Sequence, residues 1–323
     1  MLMDMDSEQR IKSMERELKL LRKKISRSEA NRALAEKMKD ETDILYENVL
    51  DQIAQQKLLL EESQDNLNDA FDVITSSINY AARIQRSVLP NTSALDAILT
   101  DHFIYWEPRD TVGGDIYWFD IWGDGILVIL GDCTGHGVPG AFMTLIASGA
   151  LDRAKAEVDA GDVSSLVQRM HQFMQITLRQ HTDGSEANDG MELGALYIDM
   201  GTEKLRFVGA RFDLFISDGT DVAEIKGARR GLGYFGIPWG QTYETHEIDT
   251  KPGTSYYLTS DGYTDQVGGE NRRMFGKKRF KALLASFYTL PMAEQKTRLY
   301  EALAQYQGKE ERRDDVSIIG LTP

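Results

Sequence analysis

Ile126-Leu127-Val128-Ile129-Leu130-Gly131-Asp132-Cys133-Thr134-Gly135-His136-Gly137-Val138-Pro139-Gly140-Ala141 is the stretch on which the reading of this chain turns. Five apolar residues, three of them β-branched, make a buried strand. The strand runs out at a glycine and an aspartate, and a glycine-rich loop follows. From Pro139 to about Val158 the chain is rich in Ala, Leu and Met and reads as a helix, with proline near its start where its missing N–H is harmless. The unit is therefore strand, acidic loop, helix. Immediately upstream, Asp115 to Trp122 alternates apolar and polar residues and Gly123-Asp124-Gly125 makes a turn, so the apolar strand is the second arm of a hairpin.

Outward from that hairpin the elements mix. His102 to Glu107 reads as a strand, and about Ser164 to His181 as a second helix. Met191 to Asp199, Lys204 to Val208, Leu214 to Ser217 and Ser255 to Thr259 read as strands. Lys277 to Tyr288 and Met292 to Gln307 read as helices, and Val316 to Leu321 as a last strand. Runs of strands around a helical pair, with hairpin connections, give an α+β class with mostly antiparallel sheets and helices packed outside.

The first ninety residues follow a different pattern. From Ile11 to Val88 there is neither proline nor glycine. Ile11, Leu18, Ile25, Tyr46, Ile53, Leu60, Leu67, Ile74 and Val88 fall on one seven-residue ladder, and Met14, Leu21, Val49 and Ile84 on its companion three residues on. One heptad register covering the whole segment is the coiled-coil condition. The stripe weakens between Ser28 and Thr42, which leaves a lone solvated helix or a helical hairpin as alternatives. Pro90 ends the helix. The expected division is a helical dimerisation or regulatory segment, 1–90, and a catalytic domain, 91–323.

Composition narrows the function. The chain has 323 residues, 41% of them apolar, and a formal net charge of −14. That charge argues against sequence-independent nucleic-acid binding and against docking on anionic lipid. The single cysteine, Cys133, excludes an intramolecular disulfide and suits a reducing compartment. No apolar run approaches the ~18 residues of a membrane span, and the N-terminus lacks signal-peptide character, so a cytoplasmic location is expected.

Four acidic motifs sit at strand ends, the first three beside glycines: Val112-Gly113-Gly114-Asp115, Gly131-Asp132-Cys133-Thr134-Gly135-His136-Gly137, Thr259-Ser260-Asp261-Gly262-Tyr263-Thr264-Asp265 and Arg313-Asp314-Asp315-Val316-Ser317. A carboxylate at a strand end projects into the groove between layers. Several aspartates converging there repel one another unless a cation neutralises them, and Mg²⁺ and Mn²⁺ prefer oxygen ligands. Each motif alone is a turn; the ordered set of four is specific.

That set resembles the PP2C-type (PPM) metal-dependent phosphatases, and within them the bacterial RsbU/SpoIIE branch, with SiaA-like signalling phosphatases as near relatives. Asn79-Tyr80-Ala81-Ala82-Arg83-Ile84-Gln85 through Leu89-Pro90 is similar to the helix entering that domain, and the resemblance covers roughly Ile78 to Pro323. It implies a PP2C-like αββα sandwich preceded by the long coiled-coil helix. It also implies two Mn²⁺ or Mg²⁺ ions: Asp132 bridging, the Cys133 carbonyl on one ion, Asp115 on one metal, and Asp261 and Asp314 on the other. Asp265 would hold metal-bound water, and Asp315 would substitute for Asp314 or orient it. The implied reaction is hydrolysis of phosphoserine or phosphothreonine by metal-activated water. The implied substrate is a small STAS-type anti-sigma-factor antagonist, and the helix would form a homodimer whose last turns adjust the metal site.

Cys133 is not read as a nucleophile, because a cysteine phosphatase needs an anion-cradling loop and an arginine after the cysteine. His136 is a candidate proton donor to the leaving group, the alternative being a turn residue. Arg109 precedes Asp115 much as a phosphate-binding arginine does in animal members of the family. One departure is plain: where many relatives carry Asn-Ala-Gly-His, this chain has Val208-Gly209-Ala210-Arg211-Phe212, and Arg211 could take over an anion contact. Arg229 to Trp239 reads as a flexible loop with two arginines. The rival function is a pseudophosphatase, or phosphoprotein-binding adaptor, dimerised by its coiled coil.

Overall fold

Glycine-free, proline-free sequence gives one continuous α-helix, α1 (Met3–Val88). This computed structural model describes residues 3–91, 95, 99–182, 184, 188–219 and 221–323. By its contacts the chain divides into two units, Met1–Ile74 and Thr75–Pro323. In the first unit the helix does not fold back at the weak heptads, so the hairpin alternative is excluded. Pairs spaced four residues apart, Arg32–Glu36, Lys37–Glu41 and Lys57–Glu61, support the polar surface, each by about 0.3–0.5 kcal/mol. The apolar ladder is open to solvent: Ile11, Leu18, Leu21, Ile25, Ile53, Leu60 and Leu67 are all more than half exposed.

The second unit carries two five-stranded antiparallel sheets. One has β2 (Asp115–Trp122), β3 (Gly125–Cys133), β4 (Met191–Asp199), β5 (Lys204–Ala210) and β8 (His246–Asp249), paired in that order. The other runs β1 (Asp101–Glu107), β12 (Val316–Thr322), β9 (Ser255–Thr259), β6 (Leu214–Ser217) and β7 (Val222–Ile225). Phe119, Val128, Leu130, Leu196, Phe207, Leu214, Leu258 and Ile319 meet between the sheets. On the outer face of the first sheet, Leu127 and Ile129 pack on α2 (Gly137–Glu157) and α3 (Val163–Thr177) through Met143, Ala147, Leu151, Leu166 and Met170. On the outer face of the second, Phe215, Tyr257 and Ile318 pack on α5 (Lys277–Phe287) and α6 (Met292–Gln307) through Phe280, Leu284, Leu299 and Leu303. The result is the αββα sandwich. β3 reads as an unbroken apolar run because both its faces are covered, so the period-2 signal of a half-exposed strand is absent.

Differences from the sequence reading have local causes. α3 stops at Thr177 rather than His181, where Arg179 takes a left-handed φ of 56°. The short strands β7 and β8, the one-turn helix α4 (Asp261–Thr264), and the hairpin of β10 (Val267–Gly268) and β11 (Arg273–Met274) were not anticipated. Each is four residues or shorter and gives no usable periodicity. The segment expected to be a flexible loop, Arg229 to Trp239, is instead anchored: Leu232 is fully buried and exchanges backbone hydrogen bonds with Met191. Gln175 on α3 donates to the carbonyls of Tyr234 and Ile237, and Gln180 to that of Gly233. Among the described residues no helix is long and apolar enough to cross a membrane.

Candidate metal centre

The hairpin register aligns the first three carboxylates. Asp115 on β2 lies opposite Asp132 on β3, and Asp132 opposite Glu192 on β4. Residues paired across adjacent strands share a face of the sheet, so three acids form one row at the sheet's end. Arg211, just past β5, extends the row by an ion pair with Glu192 at 2.7 Å. Asp261 follows β9 on the other sheet and lines the same cleft as Asp132, Glu192, Arg211 and Asp265. Asp314 precedes β12, close enough for its charge to bear on Asp115, Asp132 and Asp261.

The electrostatics are those of crowded acids. Burial, followed by the charges of Asp315 and Asp314, pushes the carboxyl of Asp115 up to about 8. Burial and then Asp115, Asp261, Asp314 and Glu192 raise Asp132 well above the carboxylate range. Asp261 goes up to about 6, chiefly by desolvation and then by Asp265 and Asp314. Without a counter-charge Asp115 and Asp132 favour their protonated forms at neutral pH.

One atom makes the need specific. Ser260 Oγ donates to Asp115 Oδ2 at 2.7 Å, but Asp115 Oδ1 is buried with no hydrogen-bond partner among the described residues. An orphaned carboxylate oxygen in an all-oxygen cleft fits a hard divalent cation. Among the described residues no three acidic, histidine or cysteine side chains already close on a single point. The acids form an open cleft, not a closed cage; Mg²⁺-type sites, which keep several waters, do not require a cage.

The two members of the Asp314–Asp315 pair differ. Asp315 is 2% exposed; its Oδ1 accepts from the Arg109 backbone and its Oδ2 from the Gly114 backbone, both at 2.6 Å. It ties the Arg109 loop and the Gly114 turn to β12, which suits the orienting role. Asp314 is half-buried and turned to the other acids. Gly114 is required for close approach: a Cβ there would lie 2.4 Å from the Gly135 carbonyl oxygen and 2.8 Å from that of Cys133.

The Cys133 thiol packs in the apolar core beneath α2, and burial raises its pKa well above its ordinary value. A thiol kept protonated and away from the cleft is no nucleophile. His136 is exposed and sits between two partners: Asp110 Oδ2 at 3.2 Å from Nδ1, and Arg109 Nη1 at 2.9 Å from Nε2. Both contacts are satisfied if the neutral ring donates from Nδ1 and accepts at Nε2. Arg109 also donates to the Arg313 carbonyl at 3.1 Å. Asp265 lies one helical turn beyond Asp261, its N–H donating to the Asp261 carbonyl at 2.7 Å.

Four residues escaped the sequence reading. Glu192 interrupts the apolar start of β4 (Met191–Asp199), a signal available in hindsight. Asp110 orients His136, and Ser260 holds Asp115. Gln85, near the end of α1 and 3% exposed, donates to the Gly113 carbonyl at 2.6 Å and to Thr144 Oγ1 at 3.2 Å, and accepts from the Gly113 N–H at 3.3 Å.

The chain matches the family described as Stage II sporulation protein E (SpoIIE) over residues 123–322. It is similar to the SiaA-PP2C domain of Pseudomonas aeruginosa, with 38% identity and a TM-score of 0.72 over 79% of this chain and 98% of that one. It shares its fold with the RsbU and RsbW domains of Rv1364c from Mycobacterium tuberculosis, at 18% identity and a TM-score of 0.52 over 69% of this chain and 60% of that one. The same holds for the SpoIIE phosphatase domain of Bacillus subtilis, at 14% identity and a TM-score of 0.52 over 68% of this chain and 61% of that one. No curated protein matches.

Proposed function

The chain belongs to the SpoIIE family of PP2C-type phosphatases, and on that premise we propose that it is a metal-dependent protein serine/threonine phosphatase. The observation that carries the reading is the crowding of Asp115 and Asp314 against Asp132 and Asp261, which line the cleft, with Asp115 Oδ1 orphaned. Two Mn²⁺ or Mg²⁺ ions fit this donor set, held by Asp115, Asp132, the Cys133 carbonyl, Asp261 and Asp314, with Asp265 behind them. Bound there, the ions supply positive charge for the phosphoryl oxygens and acidify water near neutral pH.

The chain's own residues do the rest. Arg109 reaches out beside the cleft and orients the phosphoryl group. His136, held between Asp110 and Arg109, is the candidate proton donor to the departing serine or threonine oxygen. Arg211, held by Glu192, gives the opposite rim an anion contact. The presence of every principal acid supports turnover over a binding-only pseudophosphatase. The substrate in this reading is a phosphorylated STAS-type regulator, and the enzyme is a cytoplasmic homodimer through α1. Removal of the residues before Asp72 should abolish dimers in light scattering or change phosphate release; a monomer–dimer state and a rate both unaltered would sink that part.

The test is phosphate release from an aryl phosphate ester, with and without Mn²⁺, beside Asp132→Asn. Release that requires the metal and falls by about a hundredfold or more in the variant is expected. Metal-independent release, or equal rates in the two proteins, overturns the reading.

A further inference from the structure

Beside the acidic cleft, a second depression of about 450 Å³ has the opposite charge: it is lined by Arg109, Arg272, Lys309, Arg312 and Arg313, against Glu310 and Glu311. In a chain of net charge −14, five cations around one groove are a local reversal. Two are neutralised within the protein: Arg272 pairs with Glu310 at 2.9 Å and Arg312 with Glu107 at 3.5 Å. The side chains of Arg109, Lys309 and Arg313 are exposed and have no carboxylate partner among the described residues.

The groove's floor is fixed. After α6, Gly308 turns the chain with φ of 59°, and the irregular segment that follows is pinned at each step. Gln307 Nε2 donates to the Glu310 carbonyl, Gln266 Nε2 to the Glu311 carbonyl, and the Arg313 N–H to Gln266 Oε1, at 2.9, 3.0 and 3.3 Å. The same segment runs directly into Asp314 and Asp315, and Arg109 joins the two sites, its backbone on Asp315 and its guanidinium on the Arg313 carbonyl. The cationic groove therefore leads to the metal centre at fixed register.

We propose that this groove binds an acidic stretch of the substrate protein, glutamates or aspartates flanking the phosphorylated residue, and so selects among phosphoproteins. The inference rests on the phosphatase reading. A polypeptide is the occupant because the groove adjoins the place where its phosphoryl-bearing residue must sit. Rim charges of this kind set encounter and salt dependence.

The experiment measures binding, so it does not depend on turnover. Two fluorescein-labelled phosphoserine peptides, one with glutamates and one with glutamines around the phosphoserine, are titrated with the full chain by anisotropy. The glutamate peptide should bind about tenfold more tightly at low salt, and the preference should vanish in the Lys309→Glu/Arg313→Glu double variant. The milder Lys309→Gln/Arg313→Gln protein, with an unchanged thermal transition, should retain part of the preference. Equal affinity for the two peptides, or a preference that survives charge reversal, overturns the proposal. Failure of aryl phosphate release would instead count against the enzyme.

Discussion

Gln85→Leu should loosen the metal centre through bonds that never touch a metal ligand. The substitution nearly conserves volume, so packing changes little. It removes three hydrogen bonds at once, to the Gly113 carbonyl, the Gly113 N–H and Thr144 Oγ1. Gly113 is buried, so its N–H and C=O are left without partners. A stranded buried polar group costs about 1–3 kcal/mol; the N–H bond, 3.3 Å long, belongs at the low end. The sum is about 2–4 kcal/mol. For a domain of this size that lowers the melting temperature by roughly 5–15 °C. Gly113 and Gly114 lead straight into Asp115, so Mn²⁺ affinity should weaken as well. Thr144→Val is the control: it removes one of the three bonds, leaves Gln85 on Gly113, and should cost about 1 kcal/mol. Scanning calorimetry with and without Mn²⁺ reads both effects. A Gln85→Leu protein that melts within about 2 °C of the parent, or no lower than Thr144→Val, would refute the clamp.

Further outcomes follow from the same geometry. Ser260→Ala removes the donor to Asp115 Oδ2 and the acceptor of the Ser317 N–H; Asp115 then holds its proton more tightly, and Mn²⁺ affinity by calorimetric titration should fall about tenfold, with a deficit that shrinks as pH rises. An unchanged dissociation constant would remove Ser260 from the account. Gly262→Ala places a Cβ 1.9 Å from the Asp315 carbonyl oxygen, backbone that cannot swing aside, and should destabilise by about 1–3 kcal/mol in urea melts; an unshifted midpoint would show that the turn yields. Metal-free protein should lose stability as pH rises. The folded-state pKa values of Asp115, about 8, and Asp261, about 6, lie above their unfolded values. Their contribution is complete below about pH 4 and fades as pH climbs through 6 to 8. Buried Asp115 supplies most of it, on the order of 2–4 kcal/mol between pH 5 and 8. Saturating Mn²⁺ should flatten that slope, and a metal-free protein equally stable at both pH values would contradict the crowding of the acids.

Much of the sandwich was legible because burial there is periodic or continuous over five or more residues. β2, β4, β9 and α6 begin and end where turn residues and apolar pattern place them. Three of the acid-bearing motifs were legible because glycine marks the place where backbone must pass close to a carboxylate, as at Gly114 and Gly262, and the fourth by its paired aspartates before an apolar strand. What could not be read depends on register and on long-range approach. Glu192 faces Asp132 only because β4 pairs with β3 in one register; a slip of one residue would turn it to the other face. Gln85 meets Gly113 across 28 positions of sequence, and no local pattern distinguishes it from the other polar residues of α1. The segment after Arg229 looked mobile because its anchors include glutamines on α3 and just past it, Gln175 and Gln180, a residue type that usually signals an exposed face.

The Asp314–Asp315 pair shows how the fold separates roles that the sequence leaves equivalent. The strand β12 begins at Val316, so the two aspartates lie on the irregular approach, where neither alternation nor helical spacing assigns a face. The assignment comes from backbone donors. Arg109 and Gly114 present two N–H groups that only Asp315 meets, and these bonds offset part of the cost of burying its charge. Gly113 leaves no room for a side chain, since a Cβ there would stand 2.5 Å from Asp315 Oδ1. Asp315 thereby becomes the hub on which the β1–β2 loop, the Asp115 turn and β12 are joined, while Asp314, its Oδ1 accepting the Asp315 N–H, bears by its charge on the other acids. Gln85 grips the same Gly113 from α1. The end of α1 is thus joined to Asp115 by two hydrogen bonds and the two glycines Gly113 and Gly114.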